Sequence, residues 1–83
     1  MTRYARQQRI ETDYDIRKST QYYWEKHGLW PKRVHIGPRA VGWPVHEIEA
    51  VMDARATGAD DAAIRKLISE MTEARHTRAG STE

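Results

Sequence analysis

Five residues stand at spacings that would gather their side chains along one side of a helix: Lys18, Ser19, Tyr22, Tyr23 and Lys26. Separations of i, i+3 and i, i+4 place them on neighbouring turns. Together they offer positive charge, hydroxyl groups and flat rings, which suit phosphate oxygens and the edges of bases. A solvated helix face with aromatic packing would use the same residues, so the spacing alone leaves both readings open. Other chemistries have less support. The chain has no cysteine, hence no disulfide, no thiolate ligand and no thiol nucleophile. No two of His27, His35, His46 and His76 stand three or four residues apart, so no metal is expected. His27, His35 and His46 would instead add positive charge below neutral pH. Glu47 and Glu49 project from different sides of one helix with no nucleophile or base in a plausible order. No glycine-rich phosphate loop is present. No enzymatic activity, cofactor or small-molecule ligand is therefore expected.

The elements that must position these residues follow from periodicity and breakers. Residues 6–13 are helix-compatible, with Ile10 as the apolar anchor. Tyr14-Asp15-Ile16 reads as a turn, with Asp15 as N-cap of a second helix over about 17–27. Gly28 ends that helix and Pro31 prevents its resumption. Alternation in Val34-His35-Ile36 and again in Val41-Gly42-Trp43 surrounds Gly37-Pro38-Arg39-Ala40, which predicts a hairpin over 34–43. Val34, Ile36, Val41 and Trp43 are expected on its buried face and Arg39 at its exposed tip. A helix over 45–56 follows, with Val45, Ile48, Val51 and Met52 inward. After Gly58, Asp60 or Asp61 can cap a last helix over 61–75 carrying the stripe Ile64, Leu67, Ile68 and Met71. Residues 76–83 are small and polar and are expected to form a flexible tail.

This order predicts a mainly α fold with a small β-hairpin: a winged helix-turn-helix plus C-terminal helices. In that architecture the second helix enters the major groove and the hairpin wing touches the neighbouring backbone or minor groove. Arg17 and Lys18 at the positive end of the second helix would face phosphates. Lys32, Arg33 and Arg39 extend the basic strip. Trp24, Trp30 and Trp43 are expected in the core rather than as stacking platforms.

Charge follows the same division. The 83 residues carry 14 Lys and Arg against 12 Asp and Glu, a net charge of only +2. Residues 1–46 hold nine of the basic and four of the acidic side chains, together with every Trp and Tyr; residues 47–83 hold five and eight. A basic, aromatic half thus precedes a mildly acidic, aliphatic one, a polarity that suits a polyanion at one end and a structural or partner-binding face at the other. No apolar run approaches a membrane span and no secretory leader is seen, so a cytoplasmic location is expected.

Residues RKSTQYYWEKHGLWP followed by KRVHIGPRAVGW resemble the AlpA family of small phage and mobile-element regulators, and more broadly excisionases and MerR-type DNA-binding domains. The features that carry the resemblance are Ser19-Thr20 opening the recognition helix, Gly28 and Pro31 closing it, and the wing string Gly37 to Trp43. The similarity runs over roughly residues 4–72, taken as the DNA-binding domain, and includes the C-terminal helices. It implies sequence-specific binding of double-stranded DNA in a bacterial, nucleoid-associated setting. Lys18, Ser19, Thr20, Gln21, Tyr22, Tyr23 and Lys26, with Arg17, would address the major groove; Lys32, Arg33 and Arg39 would hold the backbone or minor groove. Two departures from the family pattern stand out: Gln21, where an aliphatic core residue is usual, and Asp13 in an unusually polar first helix. Gln21 is therefore expected either partly exposed or turned to DNA, reading an adenine edge.

The resemblance also implies a biological role. One expectation is a recombination directionality factor (excisionase) that bends DNA and favours integrase-driven excision, working with further copies of itself and with an integrase. A second is a transcriptional regulator of element genes. A third, of another class, is a protein-interaction module for an integrase or polymerase that hardly binds DNA.

Overall fold

A computed structural model describes residues 3–81, with side chains to residue 75. The chain runs through β1 (Tyr4–Ala5), α1 (Gln7–Tyr14), α2 (Lys18–Lys26), β2 (Val34–Gly37), β3 (Ala40–Pro44), α3 (Val45–Ala56) and α4 (Asp61–Ser81). The winged helix-turn-helix order is as predicted, with one strand added. β1 is only two residues long and pairs antiparallel with β3, Tyr4 opposite Pro44 and Ala5 opposite Trp43. The resulting sheet has the order β1-β3-β2. No periodicity can announce a two-residue strand; it exists because β3 has a free edge to offer.

The apolar core draws on α1, α3, α4, β1 and β3 and on the segments flanking α2, with Ala5 coming from β1. Ile10 comes from α1, Ile16 from the turn, Leu29 and Trp30 from the loop after α2, and Trp43 from β3. Ile48 and Val51 come from α3, and Ile64 and Ile68 from α4. Trp30 and Trp43 are fully buried and Trp24 packs beside them, so the tryptophans serve as core. The Trp43 indole donates from Nε1 to the Pro31 carbonyl at 2.9 Å, tying the wing to the loop that follows α2.

Local stop signals act as the sequence suggests at Gly28 and Gly58. Gly28 has φ 75°. The amide of Leu29 donates to the Trp24 carbonyl, and that of Gly28 to the Glu25 carbonyl, the paired bonds of a Schellman ending. Gly58 closes α3 in the same way. Asp60 caps α4, accepting from the Ala63 amide at 2.9 Å.

Three expectations are corrected. Asp15 does not cap α2; it ends α1 in the left-handed region at φ 56°, and Arg17 occupies the N-cap position of α2 without a side-chain bond. Aspartate tolerates that conformation, and using it there turns the chain so that Ile16 enters the core. The wing does not place its four apolar residues on one face. Its register pairs Gly37 with Ala40 but His35 with Val41 and Val34 with Gly42, with a bulge between His35 and Gly37. One extra residue reverses the parity of a strand. Val34 therefore shares a face with Gly42, and Ile36, whose Cδ1 lies over Gly42, is 40% exposed. Val41 and Trp43 take the other face. Finally, α4 continues through residues 76–81 to Ser81 instead of giving way to a tail at residue 76. Residues 76–79 hold no proline or glycine to end it. The last two residues of the expected tail lie outside the described residues.

Candidate nucleic-acid interface

α2 presents the predicted face outward. Arg17, Lys18, Ser19, Tyr22, Tyr23 and Lys26 are exposed, and Thr20 is half-buried. Tyr22 and Tyr23 retain 42% and 59% of their surface. The face is ordered by its own side chains. Lys18 Nζ lies 5.7 Å from the centre of the Tyr22 ring, within cation–π range. Tyr23 packs on His27, ring centres 4.3 Å apart. Hydroxyls, amines and flat rings thus stand outward together on two turns of helix.

The basic residues after α2 divide. Lys32 is exposed, and its carbonyl is held by Arg75 Nη2 at 3.0 Å. Arg39 is exposed in the two-residue turn of the wing. Arg33 is engaged within the protein: its backbone amide and its Nε both donate to Glu25 Oε2, at 3.1 and 3.2 Å, and its Nη2 donates to Glu25 Oε1. Those bonds raise the guanidinium pKa further above its ordinary value, against the opposing effect of burial.

Gln21 requires a correction. It is not partly exposed and does not face the α2 surface; it is 1% exposed, with Nε2 donating to the Ile16 carbonyl at 2.9 Å and Oε1 lacking a protein partner. It lies three residues before Trp24, which packs on the core, so the i, i+3 spacing puts it on the inward side of α2. The position is a core position, as an aliphatic residue there would indicate, and the amide is accommodated by bonding to the backbone of the preceding turn.

Several residues that organise this surface escaped the sequence reading. Glu25 is one, because its partner is eight residues away across a turn and no spacing rule joins them. Arg55 is another; its Cζ lies 4.1 Å from the centre of the Trp24 ring. From α4, Arg65 Nε donates to the His27 carbonyl at the end of α2 at 3.0 Å. Arg75 binds both oxygens of Glu47, which is 3% exposed. α4 thereby clasps the segment that connects α2 to the wing. Among the described residues no three His, Asp or Glu side chains are grouped to hold a metal ion, and no helix is long and apolar enough to cross a membrane.

The model of the family described as Prophage CP4-57 regulatory protein (AlpA) matches residues 3–56, well over half of the chain. The match ends at the last residue of α3, so the likeness expected through residue 72 is shown only up to that point, and α4 lies beyond it. No curated protein and no solved structure matches the chain. With the matched segment spanning β1, α1, α2, the wing and α3, the chain belongs to the AlpA family of phage-associated, DNA-binding regulatory proteins.

Proposed function

We propose that the chain reads double-stranded DNA with α2 in the major groove and the β2–β3 wing on the flanking backbone or minor groove. The observation that carries this reading is the outward face of α2, where Lys18, Ser19, Tyr22, Tyr23 and Lys26 are all exposed within a winged helix-turn-helix of a DNA-binding family. Arg17 and Lys18 flank the N-terminal amides of α2, where phosphate is favoured. Thr20 lies at the edge of the same surface, and Lys32 and Arg39 supply backbone contacts on the wing side. Residues 4–72 form the DNA-binding domain in this reading.

The function we favour is that of a recombination directionality factor. A single recognition helix reads few base pairs, so several copies would bind neighbouring sites. They would bend the duplex at an attachment site and favour excision by an integrase. A second reading, transcriptional regulation of element genes, is supported by the family's description as regulatory. Both act in the cytoplasm on the nucleoid. Footprinting on the element's attachment site and on its promoters, with a reconstituted excision assay, separates them: protection at the attachment site with stimulated excision supports the first, protection at promoters alone the second. Binding to every duplex that is weak and insensitive to salt overturns both, because phosphate contacts make affinity fall steeply with salt. That outcome favours a module contacting an integrase or polymerase.

A further inference from the structure

We propose that Glu25 and Arg33 form a clamp that sets the angle between the recognition helix and the wing, and that both act as positioning residues for DNA recognition. This rests on the DNA-binding reading above for its consequence, though not for its geometry. Glu25 lies in the last turn of α2 and Arg33 one residue before β2. Three hydrogen bonds join them, one from the Arg33 backbone amide and two from its guanidinium, which spans both carboxylate oxygens. A two-point pairing of planar groups fixes orientation as well as distance. The Glu25 side chain is only 16% exposed, so solvent competes weakly for it.

The guanidinium has two further neighbours, one on each element. Its Cζ lies 5.4 Å from the centre of the Tyr22 ring on α2 and 5.9 Å from that of Trp43 on β3. Tyr22 thus stands between two cations, Lys18 and Arg33. Arg33 touches the base of the reading face and the base of the wing at once. An acidic residue on a DNA-facing helix ordinarily weakens binding by repelling phosphate. Here its charge is matched by Arg33, and the pair holds the two DNA-contacting elements in one relative pose. A two-element reader placed loosely loses discrimination before it loses general attraction, because phosphates accept many poses and base edges few.

The test compares Glu25→Gln, Arg33→Gln and the double variant in two measurements. The first needs no DNA: amide hydrogen exchange of the full chain. The clamp predicts faster exchange in residues 33–44 for all three variants, with α3 and α4 unchanged. Unaltered exchange in the wing overturns the proposal whatever the protein binds. The second uses a duplex selected from a random pool by the wild-type protein and a duplex of scrambled sequence. Each single variant should lower the ratio of selected to scrambled affinity by about tenfold, the scale of one lost positioning contact. The double variant should fall no further. Glu25→Gln should bind the scrambled duplex more tightly than wild type while binding the selected one less tightly. If Arg33 is instead a phosphate contact, Arg33→Gln weakens both duplexes alike and lowers the salt slope by about one, and Glu25→Gln strengthens both; that pattern overturns the clamp. Failure of the wild type to bind any duplex refutes the DNA reading and leaves the exchange result to decide the clamp.

Discussion

Replacing Gln21 by methionine tests whether a residue of the recognition helix works in the core or on DNA. The side chain is buried, with Nε2 bonded to the Ile16 carbonyl and Oε1 unpartnered. Methionine is unbranched and of similar length, so the change is close to isosteric. Removing the orphaned acceptor recovers its desolvation cost, about 1–3 kcal/mol. Taking the donor from the Ile16 carbonyl costs about the same 1–3 kcal/mol, and the two nearly cancel. Both side chains bury Cβ and Cγ, so what remains is the two further apolar groups of methionine at about 0.8 kcal/mol each, less up to about 1.5 kcal/mol for imperfect fit in a close-packed core. The net expectation is stabilisation by about 1 kcal/mol, or about 4–8 °C in the melting midpoint for a domain of this size. Thermal unfolding followed by far-ultraviolet circular dichroism measures it, alongside titration of the selected duplex. Affinity should be unchanged. A lower midpoint would show that the bond to Ile16 outweighs the orphaned oxygen. Collapse of affinity in a variant that melts as high as wild type would put the amide on DNA and refute its burial.

Three further outcomes are expected. Arg75→Ala takes both hydrogen bonds from the buried Glu47 and leaves it only the exposed His46 imidazole at 3.9 Å; such a loss costs about 3–5 kcal/mol in a dry site, and because the Arg75 side chain is 25% exposed the expected figure is about 2–3 kcal/mol, read from urea unfolding. Gly28→Ala is destabilising by about 1–2 kcal/mol from the left-handed backbone alone, since the added Cβ would meet only the Arg65 chain at 3.8 Å; the same unfolding curves report it. Arg39→Ala should leave melting untouched, weaken selected and scrambled duplexes equally, and reduce the slope of log affinity against log salt by about one.

Much of the fold was legible because its signals are local. α1, α2, α3 and the start of α4 follow from apolar spacing and stop residues, and Gly28 and Gly58 stop their helices where the sequence puts the breaks, both with left-handed backbone. The exposed face of α2 was equally legible, since a helix of known phase puts Lys18, Ser19, Tyr22, Tyr23 and Lys26 together by geometry. Gln21 was misread despite belonging to that same helix. Its polarity suggested solvent or DNA, but its phase, shared with Trp24 three residues on, put it inside; position decided over residue type. The wing shows the opposite limit. Its strands were predicted, yet the bulge at Ile36 inverted the faces, and a one-residue slip leaves no trace in composition.

By itself the sequence determined the succession of elements, the charge division between the halves and the outward face of the recognition helix. All three depend on residues near one another along the chain. Only the tertiary structure decided which cations are free. Arg33 and Arg39 are both basic residues of the wing region, but Arg33 is bound to Glu25 while Arg39 stands exposed in the turn. Likewise Arg65 and Arg75, in the acidic half, reach back to His27, Lys32 and Glu47. Those pairings form only when distant segments pack, since a guanidinium takes the carboxylate or carbonyl that folding brings within hydrogen-bond reach, whatever their separation in sequence.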